Sequence, residues 1–431
     1  MRILVWKNLS PRQRLAALAR PAPSKRPGRT ADVARILASV RRDGDAAVRR
    51  FTAKFDGVRL GRLRVSPAEF AAARKELTPA DRTALRTAYR NLVRFHRAQK
   101  NLPVRVATMA GIVCEKAVRP QRAVGLYVPG GGAPLFSTAL MLGVPSQLAG
   151  CPHRILCTPP DLRGRVSPWI LAAAELCGIR DVFKVGGAQA IAAMAFGTKT
   201  IPRCDKLFGP GNAFVTEAKL QVSRDGCAID LPAGPSEVMV VADDRARADF
   251  VAADLLSQAE HGPDSQVILV AFSRMFAERV RAEIERQVGR LPRRDIARRA
   301  LAASRLLLAD REDDAVAIAE AYAPEHLILQ IRRPRKLASR ISASGSVFLG
   351  PWTPESLGDY ASGTNHVLPT GGWAASCSGL GLADFQRTMT LQTADSRGLA
   401  KLGPVVARLA RAEQLEAHAR AVEVRLTRFS R

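Results

Sequence analysis

Short apolar segments alternate with helical segments through most of the chain, and this alternation constrains the fold more than any other feature. Apolar runs at 123–128, 154–157 and 181–185 are each followed by helix-like sequence, with glycines at strand-to-helix turns. Strands that alternate with helices in this way are typical of a doubly wound parallel sheet. The pattern recurs at 238–242, 266–270, 327–331 and 346–349. The sequence therefore predicts an α/β fold with two units of similar build.

The N-terminal part of the chain is predicted to be an arm followed by helices. Residues 1–29 contain a short strand, a helix over 11–19 and a linker rich in proline and basic residues. Thr30 is a good N-cap for a helix over 31–42, and a second helix runs to about Phe55. Proline is favoured in the first turn of a helix, so Thr78-Pro79 predicts the start of a long helix. The charged segment 404–428 is also predicted to be helical.

The chain is strongly basic, with a formal net charge of +27 and a pI near 11.0. Such a charge is compatible with nucleic-acid binding. However, the arginine pairs are scattered and only 5% of the residues are aromatic. A solvated arginine-rich surface is therefore favoured, and no nucleic-acid partner is expected.

Two observations on the sequence indicate a cytoplasmic protein, and the cysteines indicate buried thiols. No stretch approaches the run of about 20 apolar residues that a membrane span needs. The start of the chain lacks the apolar core and cleavage site of a signal peptide. The seven cysteines are an odd number without a Cys-x-x-Cys pair and have apolar neighbours, which favours buried reduced thiols.

The segment 254–263 carries a candidate metal-binding pair. Gln258 and His261 are three residues apart, a spacing that places both side chains on one face of a helix. Gly262 and Pro263 are expected to end that helix just after His261. Zinc accepts nitrogen and oxygen ligands, although an isolated pair of this kind is more often a solvated polar turn.

Further candidate residues lie in the last third of the chain. Glu325 and His326 stand side by side before an apolar strand and can serve as two proton acceptors, although such a pair taken alone is more often part of a helix turn without a catalytic role. Asp359 and His366 lie in a small polar segment flanked by glycines, whose composition suits a binding loop. On an ideal helix, Glu413 and His418 would be about 140° apart, so spacing does not group them, and His418 alone is more typical of a surface residue.

Glycine turns at 130–132, 186–187 and 209–211 allow a phosphate-bearing ligand to approach the backbone closely. None of them matches the dinucleotide fingerprint G-x-G-x-x-G, because Gly209-Pro-Gly211 is followed by Asn-Ala-Phe. These turns alone are equally compatible with a cofactor site and with tight structural turns.

Taken together, seven motifs in order resemble the histidinol dehydrogenase family over nearly the full length. They are Val124-Gly-Leu-Tyr-Val-Pro-Gly-Gly131, Gly186-Gly-Ala-Gln189, Phe208-Gly-Pro-Gly-Asn212, Pro232-Ala-Gly-Pro-Ser-Glu237, Ser257-Gln-Ala-Glu-His-Gly-Pro263, Pro324-Glu-His-Leu327 and Gly358-Asp-Tyr-Ala-Ser-Gly-Thr-Asn-His366. The resemblance implies oxidation of L-histidinol to L-histidine at the end of histidine biosynthesis. It also implies two NAD per turnover and a bound L-histidinaldehyde intermediate.

The resemblance further implies the residues of the site. One zinc ion per subunit would be held by Gln258, His261, Asp359 and His418, which also contact the substrate. The other implied substrate contacts are Ser236, His326, His366 and Glu413, and the implied NAD contacts are Tyr127, Gln189 and Asn212. His326 is expected to accept the hydroxyl proton near its unperturbed pKa, and Glu325 to activate the water that attacks the aldehyde.

The family architecture implied by the resemblance is a domain-swapped homodimer with two incomplete Rossmann-like units. The first unit would comprise residues 30–122 and 236–375 and carry most zinc and catalytic residues. The second, 123–235, would be the NAD side. The tail 376–431 would be helical and reach the site of the partner subunit, which would explain why spacing does not group Glu413 and His418.

Two other interpretations remain open from the sequence. The first is a zinc- and NAD-dependent alcohol dehydrogenase on the same scaffold that acts on a different small hydroxylated compound. Glu413, Ser236 and His366 suit a cationic amine and an imidazole, which favours histidinol. The second is a nucleic-acid-binding protein that uses the positive charge, but this leaves the seven motifs unexplained.

Overall fold

The computed structural model describes residues 1–21, 28–130, 135–231 and 234–427. Most of the predicted linker, the last two glycines of the 130–132 turn and the first two residues of the Pro232-to-Glu237 motif lie outside these ranges. Elements are numbered in chain order. Among the described residues, no helix is both long and apolar enough to cross a membrane.

The larger sheet has six parallel strands in the order β1-β11-β10-β9-β12-β13. Its strands are β1 (Arg2–Val5), β9 (Glu237–Ala242), β10 (Gln266–Ala271), β11 (Arg305–Leu308), β12 (His326–Gln330) and β13 (Ser346–Leu349). The N-terminal arm therefore contributes an edge strand to this sheet.

The second sheet has five parallel strands in the order β6-β5-β4-β7-β8. Its strands are β4 (Ala123–Tyr127), β5 (His153–Thr158), β6 (Asp181–Lys184), β7 (Lys206–Phe208) and β8 (Ala228–Ile229). The predicted α/β class with two parallel sheets is confirmed by these strand pairings.

Helices cover both faces of each parallel sheet. They are α1 (Pro11–Leu18), α2 (Arg29–Asp43), α3 (Asp45–Phe55), α4 (Pro67–Glu76), α5 (Pro79–Arg97), α6 (Phe136–Leu148), α7 (Pro168–Leu176), α8 (Gly187–Phe196), α9 (Ala213–Arg224), α10 (Ala248–Ala259), α11 (Arg274–Val288), α12 (Arg294–Ala302), α13 (Glu312–Tyr322), α14 (Pro334–Ala338) and α15 (Glu355–Tyr360). Successive strand residues point to opposite faces, so Val238 packs with α10–α12 whereas Met239 packs with α13 and α14.

The helices between residues 29 and 97 pack on the five-stranded sheet. Val33 and Val48 of α2 and α3 share a core with Tyr127, and Leu85 of α5 shares a core with Val124. The apolar faces of these helices are therefore buried against strands of the 123–235 unit, although the resemblance groups 30–122 with 236–375, and the domain limits stay a prediction. Sequence could not show this, since an amphipathic helix does not specify which sheet it covers.

Two local details differ from expectation. The helix α2 begins at Arg29 with Gly28 as its N-cap, so Thr30 is inside the helix. The helix α10 ends at Ala259, and His261 lies in the following turn with its backbone N–H bonded to the carbonyl of Gln258 (3.2 Å). By contrast, Thr78 caps α5 as predicted, and its hydroxyl accepts a hydrogen bond from Asp81 N.

The C-terminal tail is not a single helical unit. It contains β14 (Gln386–Ala394), which pairs antiparallel with β3 (Ile112–Pro120), and β3 pairs with β2 (Val104–Met109). Two helices follow, α16 (Ser396–Ala412) and α17 (Glu416–Leu426). The turn between them includes Gln414 with a φ of 62°, so the tail over 376–431, expected to be helical, contains a strand and a turn as well as two helices.

The cysteines agree with the prediction of reduced thiols. All seven are free, and five of them are buried. Burial raises the pKa of Cys151 to about 11, so this thiol stays protonated and unreactive at neutral pH.

Candidate active site

A cleft of about 1210 Å³ opens at the carboxyl ends of the five-stranded sheet. It is lined by segments that follow β4, β5 and β7 and by the start of α8, as expected for a ligand site in an open parallel sheet. All three residues predicted to contact NAD, Tyr127, Gln189 and Asn212, line this cleft. Their roles stay a prediction, but the fold brings them to one cavity from three separate elements.

Each of these three side chains is held differently. The hydroxyl of Tyr127 accepts a hydrogen bond from Gly187 N (3.0 Å), and burial raises its pKa to about 12. Asn212 is the N-cap of α9, and its Oδ1 accepts from the backbone N–H of Phe214 and Val215. Gln189 is 1% exposed, and neither atom of its amide has a hydrogen-bond partner. A buried unsatisfied amide is costly, and a bound ligand is one way to satisfy it.

The turn that positions Asn212 is braced by a buried ion pair. Lys219 donates to Gly209 O (2.9 Å) and pairs with Asp230, whose other oxygen accepts from Gly209 N (2.7 Å). Gly209 has a φ of 121°, and a Cβ there would lie 2.1 Å from the carbonyl oxygen of Tyr127. Only glycine fits this position, so the backbone of this turn packs directly against the end of β4 and forms one wall of the cleft.

Glu325 and His326 lie buried at the amino end of β12, where both contact the backbone of Glu237. Glu325 Oε2 accepts from Glu237 N (2.9 Å), and His326 Nδ1 lies 3.2 Å from Glu237 O. A carbonyl oxygen only accepts, so Nδ1 carries the proton. The free lone pair of a neutral His326 is therefore on Nε2, which lies 3.4 Å from Asp359 Oδ1.

The electrostatic environment of this pair differs from expectation. Burial lowers the pKa of His326, but the carboxylates of Glu325 and Asp359 outweigh it and raise the pKa to about 10. The expectation of an unperturbed imidazole is therefore wrong, because two carboxylates lie beside the buried ring. Burial raises the pKa of Glu325 to about 8, although His326 opposes this.

Asp359, near the end of α15, is at the centre of a group of histidines. Burial raises the pKa of its carboxyl, but His326, His366 and His261 together hold it below its usual value. His366 Nδ1 donates to the carbonyl of Asp359 (2.8 Å), and its Nε2 lies 3.3 Å from the hydroxyl of Thr138. Burial lowers the pKa of His366, which keeps this ring neutral at pH 7.

Gln258 and His261 fit a cation site. Gln258 is completely buried, yet neither its Oε1 nor its Nε2 has a hydrogen-bond partner. His261 Nδ1 lies 3.1 Å from the carbonyl of Ser257. That bond orients the ring and leaves Nε2 available to a ligand, an arrangement that is common in histidines that bind metals.

Two predicted site residues, Glu413 and His418, do not lie near Gln258, His261 and Asp359 within one chain. Both are exposed, at the end of α16 and in α17. Accordingly, no cluster of three or more His, Cys, Asp or Glu side chains that could hold a metal occurs within the described ranges. Ser236 lies just before β9 and is half-buried, next to the residue that contacts the pair at 325–326.

Sequence reasoning missed Glu355. It is 1% exposed, its Oε1 accepts from Ser257 Oγ (2.9 Å), and its Oε2 has no partner. Burial raises its pKa to about 8. The spacing of four residues to Asp359 is a signal that both carboxylates lie on one helix face.

Comparison with known proteins identifies the family of the chain. The model of the family described as histidinol dehydrogenase matches residues 20–426. The chain belongs to the histidinol dehydrogenase family. It is 55% identical over 427 residues to the histidinol dehydrogenase of Xanthomonas oryzae pv. oryzae, covering 99% of each chain. It is 52% identical over 433 residues to that of Vibrio cholerae, covering 100% of both.

A solved structure extends the comparison to three dimensions. The crystal structure of histidinol dehydrogenase from Elizabethkingia anophelis superposes with a TM-score of 0.97 at 44% identity, covering 100% of this chain and 99% of the other. The resemblance predicted from the seven motifs is confirmed, and the chain is an oxidoreductase of the histidinol dehydrogenase family.

Proposed function

We propose that this enzyme oxidises L-histidinol to L-histidine in two successive dehydrogenations, with NAD as acceptor, zinc as bound metal and L-histidinaldehyde as a retained intermediate. The observation that carries the proposal is the buried pair Glu325 and His326 beside Asp359. Two proton acceptors of different kinds in one buried place suit a reaction that must remove a hydroxyl proton and activate water.

Zinc is supported by the donor set of the described residues. Gln258 offers an unsatisfied amide oxygen, His261 an oriented Nε2 and Asp359 an ionised carboxylate. His418 of a second copy would be the fourth ligand. When bound, zinc would supply positive charge that holds the imidazole and amine nitrogens of the substrate.

The cleft at the carboxyl ends of the five-stranded sheet is proposed to be the NAD site. Tyr127, Gln189 and Asn212 line it, and its volume is large enough for a dinucleotide. When bound, NAD would accept the hydride in each oxidation. The chain has no G-x-G-x-x-G turn. Gly209, whose backbone is held by Lys219 and Asp230, would instead let the backbone of the cleft wall come close to the dinucleotide.

His326 is proposed to accept the substrate hydroxyl proton on Nε2, because Nδ1 is engaged by Glu237 O. Its high pKa arises in part from Asp359. Neutralising Asp359 with a cation would remove part of this effect and bring the pKa down toward the working range. Burial favours the protonated form of Glu325 and the neighbouring His326 favours its ionised form; the ionised form would take a proton from water as that water adds to the aldehyde, and burial would keep bulk water out.

A homodimer is proposed because the tail leaves apolar surface exposed. Val405, Leu409 and Val424 of α16 and α17 are 51–62% exposed, and Met389 and Leu391 of β14 are 49% and 40% exposed. A second copy that covers this face would bury these side chains. It would also bring Glu413 and His418 to the partner's site, where Glu413 suits the substrate ammonium.

The deciding experiment is the yield of NADH from limiting L-histidinol with zinc-loaded enzyme. Two NADH per histidinol, with histidine as product, supports the proposal. One NADH per substrate would identify a simple alcohol dehydrogenase on this scaffold, and turnover of another alcohol alone would overturn the substrate assignment.

A further inference from the structure

We propose that Arg20, on the N-terminal arm, is a positioning residue for the pair Glu325 and His326. The inference rests on the proposed catalytic roles of that pair. Arg20 makes a two-pronged ion pair with Glu237, from Nε to Oε2 (2.6 Å) and from Nη2 to Oε1 (2.7 Å). The Glu237 side chain is 2% exposed and that of Arg20 25%. Two parallel bonds fix direction as well as distance.

Arg20 also holds the segment that leads to the catalytic pair. Nη2 donates to the carbonyl of Tyr322 (2.5 Å), the last residue of α13, and the guanidinium carbon lies 4.0 Å above the Tyr322 ring. The last carbonyls of a helix have no partner within the helix, so Arg20 caps this end. Ala323 then adopts a left-handed φ of 47° and turns the chain toward Glu325.

Tyr322 closes the network around Glu237. Its hydroxyl lies 3.2 Å from Glu237 Oε2 and donates to Gln266 Oε1 (2.8 Å). Gln266 in turn donates to the carbonyl of Ala19, the residue before Arg20. Two successive residues of the N-terminal arm are therefore held in place, Ala19 by Gln266 and Arg20 by the buried carboxylate of Glu237.

Glu237 transmits this arrangement to the catalytic pair through its backbone. Its N–H donates to Glu325 Oε2 and its carbonyl accepts from His326 Nδ1. A shift of Glu237 therefore changes the orientation of both side chains at once. Removing Arg20 leaves the Glu237 carboxylate buried without a cation, an unfavourable state that relaxes by movement or protonation.

The test compares three variants of the full-length, zinc-loaded enzyme. Arg20→Met removes the charge and both hydrogen bonds to the Glu237 carboxylate but keeps an unbranched apolar side chain. Arg20→Lys keeps the charge but cannot make the two parallel hydrogen bonds to the carboxylate. Arg14→Met is the matched control, because Arg14 lies on the same arm and stacks on buried Trp6 (5.0 Å).

Expected values follow from the cost of disturbing supporting contacts, about 10- to 100-fold. Arg20→Met should lower kcat by that factor while KM for histidinol changes less than about threefold, since Arg20 is not proposed to contact substrate. Arg20→Lys should recover part of kcat and lie about 3- to 10-fold below wild type. Arg14→Met should keep kcat within about twofold.

Several outcomes would overturn the inference. One is a folded Arg20→Met variant with wild-type kcat, and another is an equal loss of kcat in Arg14→Met. If Arg20→Met does not fold, Arg20→Lys decides, and a wild-type kcat in that variant rejects the role. Full activity in Glu325→Gln and His326→Ala would instead reject the proposed function, so the two failures are distinguishable.

Discussion

Nε2 of His326 lies 3.4 Å from Oδ1 of Asp359, although β12 and α15 are separated by more than 20 residues of sequence. The contact joins a proposed proton acceptor to a proposed zinc ligand. One carboxylate therefore influences both the protonation of the imidazole and the binding of the metal.

Replacing Asp359 with Asn is expected to impair both. The neutral amide is a weaker zinc ligand and no longer raises the pKa of His326. We expect bound zinc to fall well below one per subunit and kcat/KM to drop by about 100-fold or more. Elemental analysis and steady-state kinetics measure the two effects. Asp310→Asn, an exposed change that breaks only a surface ion pair with Lys7, is the control, and full zinc retention in Asp359→Asn would remove Asp359 from the metal site.

Glu325→Gln should separate the two oxidations. The amide keeps the shape of the side chain but cannot accept a proton from water. Oxidation of L-histidinaldehyde should fall by about 10²- to 10⁴-fold, with a much smaller effect on the alcohol step. Pre-steady-state NADH formation from each substrate measures both steps. Equal losses in both would show that Glu325 supports the pair as a whole.

Asp254→Asn should change how stability depends on pH. Burial raises the pKa of Asp254 to about 7, although the bond from Gln330 opposes this. The folded state therefore holds a proton that the unfolded state releases, and stability decreases as pH rises from about 4 to about 7. The Asp254→Asn variant has no carboxyl group at this position, so its stability does not decrease in this way as pH rises. We expect it to be more stable by roughly 1–3 kcal/mol at pH 8 and unchanged near pH 4.

The measurement is denaturant unfolding of both proteins at each pH. Asp81→Asn is not a neutral control, because Asp81 belongs to the cap of α5. Asp264→Asn, in the partly exposed turn after α10, serves instead. An Asp254→Asn variant that is less stable at pH 8 would contradict a buried, destabilising carboxylate.

Lys219→Met should destabilise the cleft wall. It leaves Asp230, whose side chain is 1% exposed, without its cation. Loss of one partner of a buried ion pair costs about 3–5 kcal/mol. Adding Asp230→Asn removes the orphaned charge, so the double variant should recover part of the stability. Denaturant unfolding measures this, and additive losses in the double variant would count against a coupled pair.

Mixed dimers test whether the tail acts in trans. His326→Ala and His418→Asn subunits should each be nearly inactive alone. If His418 serves the partner, a mixed dimer has one site with both changes and one intact site. Activity should then rise toward about half of wild type per mixed dimer. Absence of recovery in purified mixed dimers would oppose the proposed exchange.

The strands were predictable where apolar runs are short and bounded by turns. The strand Ser346–Leu349 was placed to the residue. The strand Gln266–Ala271 was placed to within one residue, because a parallel strand that is buried on both faces leaves a continuous apolar signature. The sheet formed by β2, β3 and β14 was missed. Strands β2 and β14 are largely exposed and β3 is mostly half-buried, so they lack that signature.

Which strands pair over long distances in the chain could not be predicted from the sequence. Arg2 pairs with Arg305 across most of the chain, and no local pattern specifies that partner. The candidate site was placed by resemblance rather than by spacing, because its residues come from α10, β12 and α15. Glu355 was accessible in principle, since its spacing to Asp359 puts two carboxylates on one face. The burial that makes it unusual depends on the packed fold.

The pair Glu325 and His326 lies at the amino end of β12, and Glu237 begins β9 beside it. The opposite edge of the six-stranded sheet therefore carries none of the proposed chemistry. The exposed turn at Asp244 and Arg245 follows β9 on that edge. This turn is a rational place for engineering: a peptide tag or a fluorescent domain inserted there would extend away from the reacting groups, and the enzyme could be immobilised or tracked through it.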